Sequence, residues 1–210
     1  MTTPTEPTRT AGGGGRVLIA LTGVVLAVLL IGVGGYLWLS NGEGGPTALG
    51  GPFTLENGNG KTVTDRDFRG RYMLVYFGYT FCPDVCPTTL AAMAGALEKL
   101  GKTADRIAPV FITVDPSRDT PKVMHDYVAA FSPRIIGLTG TPEQITQVTR
   151  EYRVYVASHR SREGGNYTVD HSSILYLMGP DGRFIAPLRT DTTADQMAGE
   201  LVKLVSGASS

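Results

Sequence analysis

The chain has 210 residues, 42% of them hydrophobic, and its 19 lysines and arginines balance 19 aspartates and glutamates. That length allows one ordinary domain plus a membrane anchor. The even charge offers no basic field, which excludes nucleic acid as a partner, and there is no internal repeat at a solenoid period.

Residues 1–15 are rich in Thr, Pro and Gly, a composition that cannot bury a core. Residues 17–39 (VLIALTGVVLAVLLIGVGGYLWL) carry no charge. At about 1.5 Å per residue they span a hydrocarbon layer of about 30 Å with some tilt to spare. Arg9 and Arg16 precede this run, Glu43 follows it, and Tyr36 and Trp38 lie at its far end. The positive-inside rule then leaves residues 1–16 as a disordered cytoplasmic terminus and puts everything after the anchor outside. A cleaved signal peptide would have a shorter apolar core and an A-x-A-like site, and neither is found. The short terminus, containing Glu6, does not resemble an Arg- and Ser-rich transit peptide, so a bacterial inner membrane and a periplasm-facing domain are expected. Residues 40–51 form a flexible linker, and residues 52–207 are left for the domain.

Residues 53–55 and 61–63, separated by ENGNG, read as a small hairpin. Residues 72–77 are apolar and aromatic, the pattern of a buried strand. Both cysteines of the chain, Cys82 and Cys86, come next. Leu90, Met93, Ala94, Leu97 and Leu100 then recur at helical spacing, with Gly101 as a stop. Pro87 suits the first helical position, which would leave Cys86 near the N-cap and Cys82 in the preceding loop. The positive end of such a helix should ease ionisation of at least one of the thiols. Residues 109–114 form a second apolar strand, so strand–helix–strand predicts a parallel pair. Thr120 caps a helix whose Met124, Tyr127, Val128 and Phe131 share a face. A short strand at 135–138 precedes a capping box at Thr141 and Gln144, which opens a helix with Ile145, Val148, Thr149 and Tyr152 inward. Residues 154–156 read as a strand and 158–166 as a polar loop. Residues 174–178 and 184–186 flank GPDGR, a strong hairpin signal. Thr193 caps a last helix with Met197, Leu201, Leu204 and Val205 inward. Met73, Met93 and Met178 lie within apolar runs and belong to the core. The expected class is α/β, a central mixed sheet flanked by helices.

The cysteines sit where a strand hands over to a helix, the place where open α/β folds put their chemistry. On a regular helix their Cβ atoms would be about 5–6 Å apart, and a disulfide needs about 3.5–4.5 Å. Pro83 and Pro87 favour a loop that brings the sulfurs closer, so a reversible disulfide and a shared soft metal ion are both open. A staple closing so short a loop would stabilise weakly. Two thiolates with an imidazole favour copper, above all Cu(I), while zinc with an open water position also fits that set. The imidazole could come from any of three histidines. His125 lies off the apolar face of its helix, and His159 lies in the polar loop. His171 follows Asp170, which could orient it, although neighbours on a strand point to opposite faces. Asp115 ends the second strand and either approaches the site or simply turns the chain before Pro116.

The segment Tyr76-Phe77-Gly78-Tyr79-Thr80-Phe81-Cys82-Pro83-Asp84-Val85-Cys86-Pro87 resembles the cysteine motif of the Sco/SenC family of copper-binding assembly factors. Val114-Asp115-Pro116-Ser117-Arg118-Asp119-Thr120-Pro121 is similar to that family's second motif, Gly137-Leu138-Thr139-Gly140 to a third, and Tyr167-Thr168-Val169-Asp170-His171-Ser172 to its histidine segment. The resemblance implies a thioredoxin-like fold and copper, as Cu(I) or Cu(II), held by Cys82, Cys86 and His171. It also implies a metallochaperone and not an enzyme, acting on the Cu-A subunit of cytochrome c oxidase and served by periplasmic copper carriers or thiol reductants. The order of elements is the thioredoxin order as well, but thioredoxins carry two residues between their cysteines and this chain has three. A thiol–disulfide oxidoreductase that keeps the oxidase cysteines reduced, and a copper or redox sensor, are the competing functions.

Overall fold

The computed structural model describes residues 29, 31–33, 49–160 and 167–207. The chain divides into two units, Met1–Gly45 and Pro46–Ser210. In the first, residue 29 and residues 31–33 are helical. The remainder of the expected anchor lies outside the described residues. Among those described, no helix is long and apolar enough to cross a membrane.

The second unit opens with the expected hairpin, β1 (Thr54–Asn57) and β2 (Thr62–Thr64). Then come β3 (Tyr72–Gly78), helix α1 (Val85–Leu100) and β4 (Ile107–Thr113). Helix α2 (Pro121–Ala129), β5 (Ile136–Thr139) and helix α3 (Pro142–Glu151) follow. The chain closes with β6 (Val156–Arg160), β7 (Tyr167–His171), β8 (Ile174–Met178), β9 (Phe184–Arg189) and α4 (Ala194–Gly207). Seven strands form one sheet in the order β2-β1-β5-β4-β3-β8-β9. The β3–β4 and β4–β5 pairs are parallel, and the flanking pairs are antiparallel. That mixture is the thioredoxin-like arrangement expected from the sequence.

Every residue of β3 is buried, because the sheet is covered on both faces. Tyr72, Leu74 and Tyr76 pack with Leu90, Met93, Leu97, Met124 and Leu201 on one side. Met73, Val75 and Phe77 pack with Phe53, Ile145, Val148 and Tyr152 on the other. The period-two alternation along β3 thus feeds two cores. Replacing a side chain such as Leu74, fully buried, by alanine would cost about 2–5 kcal/mol. Three threonine caps fall where the sequence put them: the side chains of Thr120, Thr141 and Thr193 accept from Val123, Gln144 and Gln196 N–H.

Two local expectations are corrected. Helix α1 begins at Val85, two residues before Pro87. A proline in the first turn is tolerated because the N–H it lacks would have had no intrahelical partner. Cys86 is therefore inside the first turn and not at its cap. The expected strand at 154–156 is displaced to Val156–Arg160, and the start of the expected polar loop is part of that strand. It pairs antiparallel with β7 in a separate two-stranded sheet. The rest of that loop, residues 161–166, lies outside the described residues.

Candidate metal centre

The two parallel strands β3 and β4 end side by side at Gly78 and Thr113. Beyond Gly78 the chain must turn sharply to enter α1, and the turn carries Cys82. Its backbone N–H donates to Tyr79 O at 3.2 Å. The loop is fastened to the sheet by Asp119, whose side chain is fully buried. Thr80 donates to its carboxylate from the backbone N–H at 3.1 Å and from Oγ1 at 2.6 Å. Thr113 Oγ1 donates to the same carboxylate at 2.6 Å. Burial pushes the Asp119 carboxyl above its usual range, against the pull of these donors. Neither Asp119 nor Thr80 was singled out from sequence, because their pairing joins residues 39 apart.

Both cysteines are free thiols, Cys86 buried and Cys82 half-buried. The Cys86 N–H, in the first turn of α1, points at Cys82 Sγ from 3.4 Å. Tyr76 Oη donates to Cys86 Sγ at 3.6 Å. Gly78 leaves the room that Cys86 needs, since a Cβ there would stand 2.8 Å from its Sγ and 2.7 Å from the Phe111 ring. Burial pushes the Cys86 thiol up to about 12. For this cysteine desolvation outweighs the helix terminus.

His171 ends β7 and reaches the pair from the other sheet. Its Nε2 lies 3.6 Å from Cys86 Sγ. Its Nδ1 lies 3.1 Å from the Ser172 carbonyl oxygen. A carbonyl only accepts, so Nδ1 carries the proton and Nε2 turns its lone pair to the sulfurs. Burial pulls the imidazole below its ordinary range, although the Ser172 carbonyl and Asp170 work the other way. Tyr76 and Tyr79 set their rings edge-on around it, at centroid distances of 6.2 and 6.1 Å. Cys82 Sγ, Cys86 Sγ and a His171 nitrogen all lie within 4.8 Å of one another. Two sulfurs and an imidazole nitrogen this close can share one soft metal ion, and the sulfurs alone can exchange electrons as a thiol pair.

The other candidates fall elsewhere. His125 is exposed on α2. His159 is exposed and pairs with Asp170 at 3.0 Å. That pairing corrects the suggestion that Asp170 orients His171: strand alternation turns its side chain away, and the Ser172 carbonyl takes the role instead. Asp115 is buried and does not touch the sulfurs; it binds Arg118 and accepts from Tyr167 Oη at 2.6 Å. Arg118, which pairs with Asp115 and donates to the Tyr167 carbonyl oxygen, was not singled out from the sequence. Its partner Tyr167 lies 49 residues away, beyond the reach of any local pattern.

The SCO1/SenC family model matches residues 41–206. The human protein named "Protein SCO1 homolog, mitochondrial" is 46% identical over 143 residues, which are 67% of this chain and 48% of that protein. This chain spans about half the length of the curated relatives that head the comparison, 48% in each of two cases. Among solved structures, ScoI of Bradyrhizobium japonicum with copper bound superposes with a TM-score of 0.70 at 44% identity, covering 75% of this chain and 99% of that one. BsSco, described as a member of the Sco family of cytochrome c oxidase assembly proteins with a disulfide switch, gives a TM-score of 0.59 at 25% identity, covering 77% and 96%. With a matching family model over most of its length, and the cysteine pair and histidine brought to one point, this chain belongs to the SCO1/SenC family.

Proposed function

We propose that the chain is a copper metallochaperone that holds copper through Cys82, Cys86 and His171 and serves assembly of the Cu-A centre of cytochrome c oxidase. The observation that carries this reading is the meeting of those three donor atoms within 4.8 Å. A thiolate pair with a neutral imidazole is the donor set that prefers Cu(I) to hard cations. The Ser172 carbonyl fixes the imidazole tautomer that metal binding requires. Loading releases the thiol protons, so burial of Cys86 makes retention of copper sensitive to what reaches the site. The copper-bound relative and the assembly family named for BsSco support the cargo and the client.

Residues 17–39 supply a tether in this reading, and residues 40–51 a linker, with the domain at 52–207 held on the periplasmic side of a bacterial inner membrane. Leu29, Ile31 and Val33 are exposed apolar side chains, as a lipid-facing helix requires. The partners are the Cu-A subunit and the carriers or reductants that prepare the site.

One observation favours a second reading. Cys82 is half-buried while Cys86 is fully buried, the asymmetry of an attacking and a resolving thiol. As an oxidoreductase the pair would reduce a client disulfide and be left as a disulfide itself, two electrons and two protons passing to the client. That activity needs both cysteines and not His171.

An anaerobic Cu(I) titration of the reduced chain against a competing chelator, beside His171→Ala, separates the two. One copper per chain, weakened more than about 100-fold without the imidazole, is expected, since even residues that only support a ligand cost about 10–100-fold. No tight binding, or binding indifferent to His171, overturns the chaperone reading and leaves the pair to thiol exchange.

A further inference from the structure

Among the described residues, the hairpin that delivers His171 shares no ladder with the main sheet. Its base is fixed by Ser172 N–H donating to Tyr155 O at 3.1 Å and by Tyr155 N–H donating to Ser172 Oγ at 3.0 Å. Three residues after His171 the chain enters β8. The far end of β7 needs another attachment, and Tyr167 provides it. Arg118 Nη1 donates to the Tyr167 carbonyl oxygen at 3.1 Å. The guanidinium also lies 3.8 Å from the centre of the Tyr167 ring. Asp115 completes this side by accepting from Tyr167 Oη at 2.6 Å and pairing with Arg118 Nε.

The same guanidinium faces the cysteine loop. It lies 4.7 Å from the ring of Phe81, the neighbour of Cys82, and 5.6 Å from the ring of Tyr79. Its Nη2 is buried and makes no hydrogen bond among the described residues. One flat cation thus stands between two aromatic groups, one on each arm of the metal centre. Only a planar, delocalised charge can stack on rings and fork to a carbonyl and a carboxylate at once.

We propose that Arg118 is a positioning residue of the metal centre. It latches the strand that carries His171 to the loop that carries Cys82, and so fixes where the third ligand stands. The latch is a property of the apo fold, and its effect on copper rests on the reading above. A merely structural Arg118, closing the turn from Asp115 to α2, would lower the stability of the whole domain and leave the hairpin no worse than the sheet.

The test uses the full chain in two measurements. In the reduced, copper-free protein, amide hydrogen exchange is followed in β7 and in β3 for the wild type, Arg118→Ala and Arg118→Lys. The latch predicts exchange at least about tenfold faster in β7 with β3 unchanged. Lysine should not restore protection, because it keeps the charge and loses the plane. If the alanine variant fails to fold, the lysine variant carries the measurement. Exchange rising equally in both strands, or in neither, overturns the latch.

In the second measurement, Arg118→Lys is titrated with Cu(I) in the wild-type and His171→Ala backgrounds. A loss of about tenfold in the first and none in the second is expected, since the latch acts only through the imidazole. Equal losses in both backgrounds overturn the proposed effect on the metal. A failure of the copper reading itself is told apart by the unsubstituted chain, which would then bind no copper tightly while the exchange measurement still decides the latch.

Discussion

The cysteine arm and the histidine arm of the site are built in opposite ways. Cys86 lies in the main core, among side chains from β3, α1 and α2 that are almost wholly buried. The buried Asp119 bolts its loop to the ends of the parallel strands. His171 rides on a two-stranded sheet in which, along β7, only Val169 is buried. The first arm is held by packing, the second by a few polar and ring contacts. A site joined this way has one rigid half and one half that can open locally at small cost, because local stability follows buried apolar contact. On the proposed chaperone reading, in which an ion is accepted and then released, the histidine arm is the natural place for that movement to begin.

The difference can be broken most severely on the rigid side. Gly78→Ala would place a Cβ 2.8 Å from Cys86 Sγ and 2.7 Å from the Phe111 ring. Neither neighbour can retreat, since both are fully buried. A loss of about 1–3 kcal/mol in denaturant unfolding is expected, together with weaker copper binding on the proposed reading, because the Cys86 sulfur is displaced. Unchanged stability would mean that this half yields as easily as the other.

An effect of the same order is expected at Asp119. Asparagine keeps the shape but replaces one of the two accepting oxygens by an amide donor, so the three donors can no longer all be satisfied, at a cost of about 1–3 kcal/mol. The comparison also has a pH signature. The folded-state carboxyl is raised above the ordinary 3.8. Below 3.8 it is protonated in both states. As pH rises past that value, the unfolded chain ionises first and stability falls, levelling off above the raised folded value. Unfolding measured across acid pH should show this decline in the wild type relative to Asp119→Asn. A constant difference between the two across that range would count against the burial of this charge.

The same contrast explains what could be read from the sequence. The cysteine arm was legible because its packing is written locally, in the run from Tyr72 to Phe77 and the helical recurrence of Leu90, Met93 and Leu97. Only the start of α1 was misplaced, since Pro87 is as acceptable in the third position of the first turn as in the first. The hairpin was only partly legible: residues 154–156 read as a strand, but β6 continues from Val156 into the polar Ser158 and His159, where no apolar residue marks it. Ser158 and His159 read as loop residues, and what makes them a strand is their pairing with Val169 and Thr168 of β7. His171 was singled out by motif resemblance, and no periodicity would have done so. Asp119 and Arg118 act across long separations, where a single sequence carries no signal beyond residue type.

The gentlest test is at Tyr79, which touches the hairpin from the rigid side. Its hydroxyl accepts from the Val169 N–H at 3.4 Å. That is a long bond, worth no more than about 1 kcal/mol. Burial holds the hydroxyl above its ordinary range, so it stays protonated and neutral at neutral pH. Tyr79→Phe removes the bond and keeps the ring that meets His171 edge-on. The Val169 amide, on a buried residue, is then left without this partner. Its hydrogen exchange should quicken by a few fold while β3 and the unfolding midpoint hardly move. If the midpoint falls instead and β7 exchanges in step with β3, the hairpin is no separate arm but part of the core. The site would then open only with the domain, and on the proposed reading copper release would have to be driven by the client.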